Sequence, residues 1–134
     1  MLPHLVPQID QDGNERAGIR LPDVAVPLAT FTGWNFRKAS IGATTQLYPL
    51  LGSYVPFPAT RADRDRTHDP RLSIEERYPS RERYLMLVQE AATALARDRY
   101  LLPEDLPALM EHAGEHWDLL VHHAPPRDAT AAVR

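Results

Sequence analysis

The chain of 134 residues carries a formal net charge of -3, with 43% hydrophobic and 25% charged residues, which describes a soluble globular protein with room for one domain. It has no cysteine, which excludes disulfides and thiolate chemistry and agrees with a cytoplasmic location. The slight acidity offers no general attraction to phosphate backbones. No apolar run approaches the roughly 20 residues of a membrane helix, and Met1 is followed by Leu2, Pro3 and His4 rather than a basic region, so no nucleic acid, membrane or signal peptide is expected.

Residues 5–19, LVPQIDQDGNERAGI, read as two short extended pieces around Asp12-Gly13-Asn14, a hairpin-type turn signal. From Arg20 to Pro58 no period of 3.6 or 2 persists, and Pro22, Pro27, Pro49, Pro56 and Pro58 interrupt every candidate element. This region is nevertheless rich in large apolar side chains, among them Leu28, Phe31, Trp34, Phe36, Tyr48, Tyr54 and Phe57. A long irregular stretch of that composition is expected to wrap over the surface of another body.

The next stretch, TRADRDRTHDPR, alternates charge sign, and Asp63, Asp65 and Asp69 cancel the arginines that a nucleic-acid patch would need. It reads as a solvated linker, in which Thr60 followed by Asp63 caps one helical turn. Ser73 caps a turn through IEERY, and Ser80 caps a longer helix from Arg81. On that helix Tyr84, Val88, Ala91, Leu95 and Leu102 share a stripe, widened by Leu85, Ala92 and Ala96. After Pro103, the acidic Glu104 and Asp105 open a second helix whose stripe is Leu106, Leu109, Met110, Ala113, Trp117, Leu120 and Val121.

The expected fold class is α+β and largely irregular, with an N-terminal half of short strands and proline-rich loops and a C-terminal helical hairpin. The parts are a hairpin and extended apolar wrapping segment over 1–58, a charged linker with short helical turns over 59–79, the helical hairpin over 80–123 and a disordered tail over 124–134.

Motifs that suggest chemistry dissolve on inspection. HAGEH places His112 and His116 one turn apart on a helix, the inverted form of a zinc-peptidase pattern. A catalytic zinc needs a third protein ligand in a shielded cleft, and after His116 only Asp118, His122, His123 and Asp128 remain, in the same helix or the tail. No metal or other cofactor is expected. Asp10, Asp12 and Asn14 have calcium-loop spacing, but Gly13 precedes Asn14 and Leu21 stands where the bidentate glutamate belongs. Ser40 in KASIG and Ser53 in LGSYV lack the paired glycines of a nucleophile elbow. No catalytic residue is assigned.

The run LVPQIDQDGNERAGIRLPDVAVPLATFTGWNFR, then GSYVPF, TRADRDRTHDPRLSIEERYPSRERYL and LLPEDLP, closely resembles the C-terminal region of a bacterial family named alpha/beta hydrolase domain proteins. The resemblance runs from about Leu5 to Trp117. It implies that the nucleophilic serine and catalytic histidine of complete members lie upstream, so none is carried over and the chain alone is expected to be inactive. It also implies that the chain is a noncatalytic C-terminal portion whose partner is the missing hydrolase body, on the same polypeptide or encoded upstream. In VPLATFTGWNFR, Trp34 and Phe36 bracket Asn35, so extended backbone sends both rings to one face and the amide to the other. Thr32, Asn35 and Arg37 are accordingly candidate substrate-binding residues at the pocket rim, against the plainer reading that the rings only pack. The alternative is a stand-alone interaction module whose helical hairpin docks onto a partner.

Overall fold

The computed structural model describes residues 7–36, 40, 47–48 and 52–122. Its first feature is the expected turn. Ile9 bridges Glu15, the Asp10 carboxylate accepts from the Asp12 and Asn14 amides at 2.9 and 3.0 Å, and Gly13 sits at φ +80, where a side chain would be strained.

Helix α1 (Pro22–Ala25) is one turn begun by its proline, and β1 (Ala29–Thr32) follows it. The strands β2 (Asn35–Phe36) and β3 (Leu47–Tyr48) pair with each other, while β4 (Ser53–Pro56) pairs antiparallel with β1. The register sets Thr30 opposite Val55, Phe31 opposite Tyr54 and Thr32 opposite Ser53. The prolines between Arg20 and Pro58 therefore do not interrupt every element. Pro22 begins one and Pro56 ends another, the positions where a missing amide or a fixed φ costs least.

The charged stretch forms α2 (Arg61–Thr67), capped by Thr60, which accepts from the Asp63 amide at 3.1 Å. It buries no residue, as a solvated segment should. Helix α3 (Ile74–Arg77) starts with a full capping box, in which Ser73 and Glu76 satisfy each other's backbone amides. Ser80 caps α4 (Arg81–Arg97) through the Arg83 amide at 3.2 Å. A short 3-10 turn, Pro103–Asp105, leads into α5 (Leu106–His122). Helix α4 ends with Arg99 left-handed at φ 65 while the Arg99 and Tyr100 amides return to Ala96 and Leu95, which closes the orphan carbonyls.

Both helical stripes face one core, made of Leu28, Phe57, Ile74, Tyr78, Tyr84, Val88, Ala113 and Trp117. Tyr84 stacks on Trp117 with ring centroids 5.1 Å apart, and Tyr78 meets both rings edge-on. Each such pair adds about 0.5–1.5 kcal/mol beyond the area it buries. The described part of the wrapping segment does not lie wholly outside this core. Leu28 and Phe57 enter the core of the helical hairpin, because the antiparallel pairing of β1 with β4 brings residues 28 and 57 together where the two strands meet the helices. At the ends of the hairpin the expected stripes overreach: α4 stops at Arg97, so Leu102 lies beyond it and is exposed, and Val121 on the last turn of α5 is exposed as well. The expected disordered tail lies outside the described residues.

Candidate functional site

The β1–β4 sheet offers two faces, and alternation assigns them. Phe31 and Tyr54 share one, with ring centroids 5.5 Å apart, and that face meets α5 through His116. The Tyr54 hydroxyl hydrogen-bonds His116 Nε2, and the two ring centroids are 5.6 Å apart. His112, one turn earlier, stacks on His116 at 6.2 Å. Burial pushes the His116 imidazole below its usual range, opposed by the Asp23 carboxylate and aided by His112. Burial likewise raises the Tyr54 phenol, with Asp23 adding to it. At neutral pH the pair is thus a neutral hydroxyl beside a neutral imidazole, held half in and half out of water.

The other face carries Thr30 and Thr32. The Thr30 hydroxyl donates to the Asp12 carbonyl and accepts from Arg71 Nη1 at 2.8 Å, which ties the N-terminal turn and the segment after α2 to the same strand. Arg71 also donates to the Val55 and Pro56 carbonyls at 2.9 and 3.2 Å and is matched by Asp69. Hydrogen bonds from the Arg71 side chain hold the Asp69 carboxyl below the usual carboxylate range. Phe57 lies beneath both Arg71 and Arg77, whose guanidiniums are 5.1 and 4.1 Å from its ring centroid.

Of the expected rim residues, Thr32 closes β1. Its hydroxyl donates to the Trp34 carbonyl at 2.5 Å and accepts from the Ser53 amide at 3.1 Å, while the Ser53 hydroxyl donates to the same Trp34 carbonyl at 3.1 Å. The bend through Gly33 and Trp34 is therefore fastened by hydroxyls from both strands. Asn35 begins β2 opposite Tyr48. Arg37 lies outside the described residues. Trp34 keeps 40% of its surface exposed, as do Tyr54 (46%) and Val55 (43%) nearby on the sheet.

His112 and His116 do share a helix face, with Trp117 turned into the core beside them. His116 Nε2 is engaged by Tyr54, and among the described residues no group of three His, Cys, Asp or Glu is arranged to hold a metal ion. The open depression lined by Ile9, Asp10, Gln11, Asp12 and Arg16 has both its carboxylates committed, Asp10 to Arg20 and Asp12 to Arg77. Sequence reading misses the Tyr54–His116 pair because 62 residues separate its members and no local period relates them. The only available signal is that His116 borders the apolar stripe, where a half-buried imidazole needs a partner.

The family model described as "Alpha/beta hydrolase domain" matches residues 3–111, and the chain belongs to that family. No curated protein and no solved structure matches it. The match takes in the hydrophilic turn, both sheets, α4 and the start of α5, so the relationship covers the elements that build the sheet end and the exposed rings.

Proposed function

We propose that this chain is a noncatalytic portion of an alpha/beta-hydrolase protein, packing on the hydrolase body and covering its substrate pocket with the end of the β1–β4 sheet. Thr32, Asn35 and Arg37 stand at the rim in this reading. The observation that carries it is the contrast between two tryptophans: Trp117 is 7% exposed inside the core, whereas Trp34 is 40% exposed at a bend that hydroxyls hold rigid. A large ring presented on a fastened bend with 40% of its surface exposed is suited to being covered. The noncatalytic part of the proposal rests on the residues themselves, since none of Ser40, Ser53, Ser73 and Ser80 has the flanking glycines that turn a strand sharply into a helix.

The alternative, a stand-alone interaction module with a docking helical hairpin, is favoured by the shared core. Leu28 and Phe57 are buried without any second body. One experiment separates the two readings. With Trp117→Phe, Trp34 is the sole tryptophan and its emission should be red-shifted and readily quenched in the isolated chain. Co-expression with the polypeptide encoded immediately upstream should co-purify both and shift Trp34 to the blue. A blue, protected Trp34 in the chain alone would favour the module.

A further inference from the structure

Among the described residues, the sheet and the second long helix are joined by a polar link between Tyr54 and His116. Tyr54 lies on β4 and His116 on α5, and their hydroxyl-to-imidazole hydrogen bond is the polar centre of a ring series running Phe31, Tyr54, His116, His112. We propose that this pair is a proton-operated latch, closed while His116 is neutral and released when His116 takes a proton.

In the closed state of this latch the Tyr54 hydroxyl donates to His116 Nε2 and the imidazole carries its own proton on Nδ1, the tautomer that leaves Nε2 free to accept. A second proton can bind only at Nε2, the atom that the hydroxyl occupies. Taking it up removes the lone pair that accepted the Tyr54 proton, so the closed bond is lost, and the new charge is better hydrated once the pair separates. Several groups act on that charge. Asp23 from α1 favours it, and His112 on α5 opposes it when charged. Tyr54 and Tyr84 supply no anion, because burial holds both phenols above their usual value. Glu111 and Glu115 on α5 are exposed to solvent, where their charges are screened.

Burial lowers the His116 imidazole, so the opened state binds the proton more readily than the closed one. By linkage the latch is fully closed above the ordinary histidine value of about 6.5 and loosens as pH falls through and below it. The release is local. The α4–α5 contact does not depend on this bond, so acid loosens the sheet from the helix and lets the β1–β4 ladder open locally without unfolding the chain. The latch acts within this chain and stands whether or not a hydrolase body covers Trp34.

The test is amide hydrogen exchange across β4, expressed as protection factors to remove the intrinsic pH dependence, at about pH 7.5 and about pH 5. In the intact chain protection should fall at least about threefold on acidification. His116→Gln keeps an acceptor but cannot take the proton, and its β4 protection should be the same at both values. Tyr54→Phe should show the low, acid-like protection throughout. Nitrogen-15 NMR of the imidazoles in the unmodified chain provides a readout that does not depend on any variant folding: His116 should be the Nδ1–H form at neutral pH, and the Tyr54 ring signals should move with its midpoint. The latch is overturned by unchanged β4 protection in the intact chain, by an equal fall in His116→Gln, or by an Nε2–H tautomer at neutral pH.

Discussion

Arg77 and Asp12, 65 residues apart, form a two-pronged ion pair, with Arg77 Nη1 to Asp12 Oδ2 at 2.8 Å and Nη2 to Oδ1 alongside it. The guanidinium lies 4.1 Å from the centre of the Phe57 ring, and its Nε donates to the Leu72 carbonyl at 2.9 Å. Arg77 thus joins the N-terminal turn, the end of β4 and the segment before α3.

Because the two side chains are only 13% and 17% exposed, removing one partner strands the other. Asp12→Ala should cost about 2–3 kcal/mol, below the roughly 3–5 kcal/mol of breaking a fully buried pair, since each partner keeps some contact with water. Arg77→Lys should cost a similar amount, as an ammonium cannot replace a fork that also lies flat on a ring. Urea unfolding measures both, and a loss under about 0.5 kcal/mol would show that the pair behaves as a surface ion pair.

The two tryptophans should respond unequally. Trp117→Ala empties the stack with Tyr84 and Tyr78 and should cost about 3–5 kcal/mol. Trp34→Ala in the isolated chain should cost clearly less than Trp117→Ala, because Trp34 keeps 40% of its surface exposed where Trp117 keeps 7%. In an intact relative that contains the hydrolase body, the proposed function predicts a sharp loss for Trp34→Ala as well. There, Asn35→Ala should leave the melting temperature nearly unchanged and alter KM.

Alkaline pH should weaken the fold through its buried tyrosines. Burial pushes the Tyr78 phenol up to about 12, and Tyr84 and Tyr54 are raised for the same reason. Tyrosines in the unfolded chain ionise near about 10, so above that value the unfolded state releases protons that the folded state retains. Stability should fall as pH rises from about 10 toward 12. Denaturation midpoints across this range test it. Tyr78→Phe should flatten part of the fall, at the expense of the bond from its hydroxyl to the Pro27 carbonyl at 2.9 Å, about 1 kcal/mol.

Gly114 sets two small effects against each other. A Cβ there would come within 2.7 Å of Arg81 Nη2, which is paired with Asp118 at 2.9 Å. Gly114→Ala gains about 1 kcal/mol of helix propensity and displaces an ion pair whose members are 40% and 46% exposed and already well hydrated. The variant should be neutral to slightly stabilising by thermal melting. A loss above about 1 kcal/mol would mean that the displaced Arg81 finds no alternative position.

What the residues disclose in advance follows the range of the interactions. Caps act within three residues, and Thr60, Ser73 and Ser80 were each legible as helix starts. The turn at Asp12-Gly13-Asn14 and the two long helices were legible for the same reason, since a local period or a positive φ leaves a local signature. The four-residue strands were not. In β1 and β4 the alternation is too short to separate from chance, and pairing across Thr32 and Ser53 is decided by partners 21 residues apart. The same limit hid the Tyr54–His116 pair and the Phe57 ring between two arginines. Of the rim, Thr32 and Asn35 could be named from the aromatic pattern around them, but not the hydroxyls that fasten the bend.

Asn14 is completely buried, and its side-chain amide does the work of a strand: Nδ2 donates to the Ala29 carbonyl at 3.0 Å and Oδ1 accepts from the Phe31 amide at 2.7 Å. These are the groups along the edge of β1 that face away from β4, the edge on which another chain would otherwise add a strand. One carboxamide thus terminates the sheet chemically, without a further strand or a blocking proline. The N-terminal turn is in this sense an anti-polymerisation device, and solubility at high concentration should depend on a side chain that no water molecule touches.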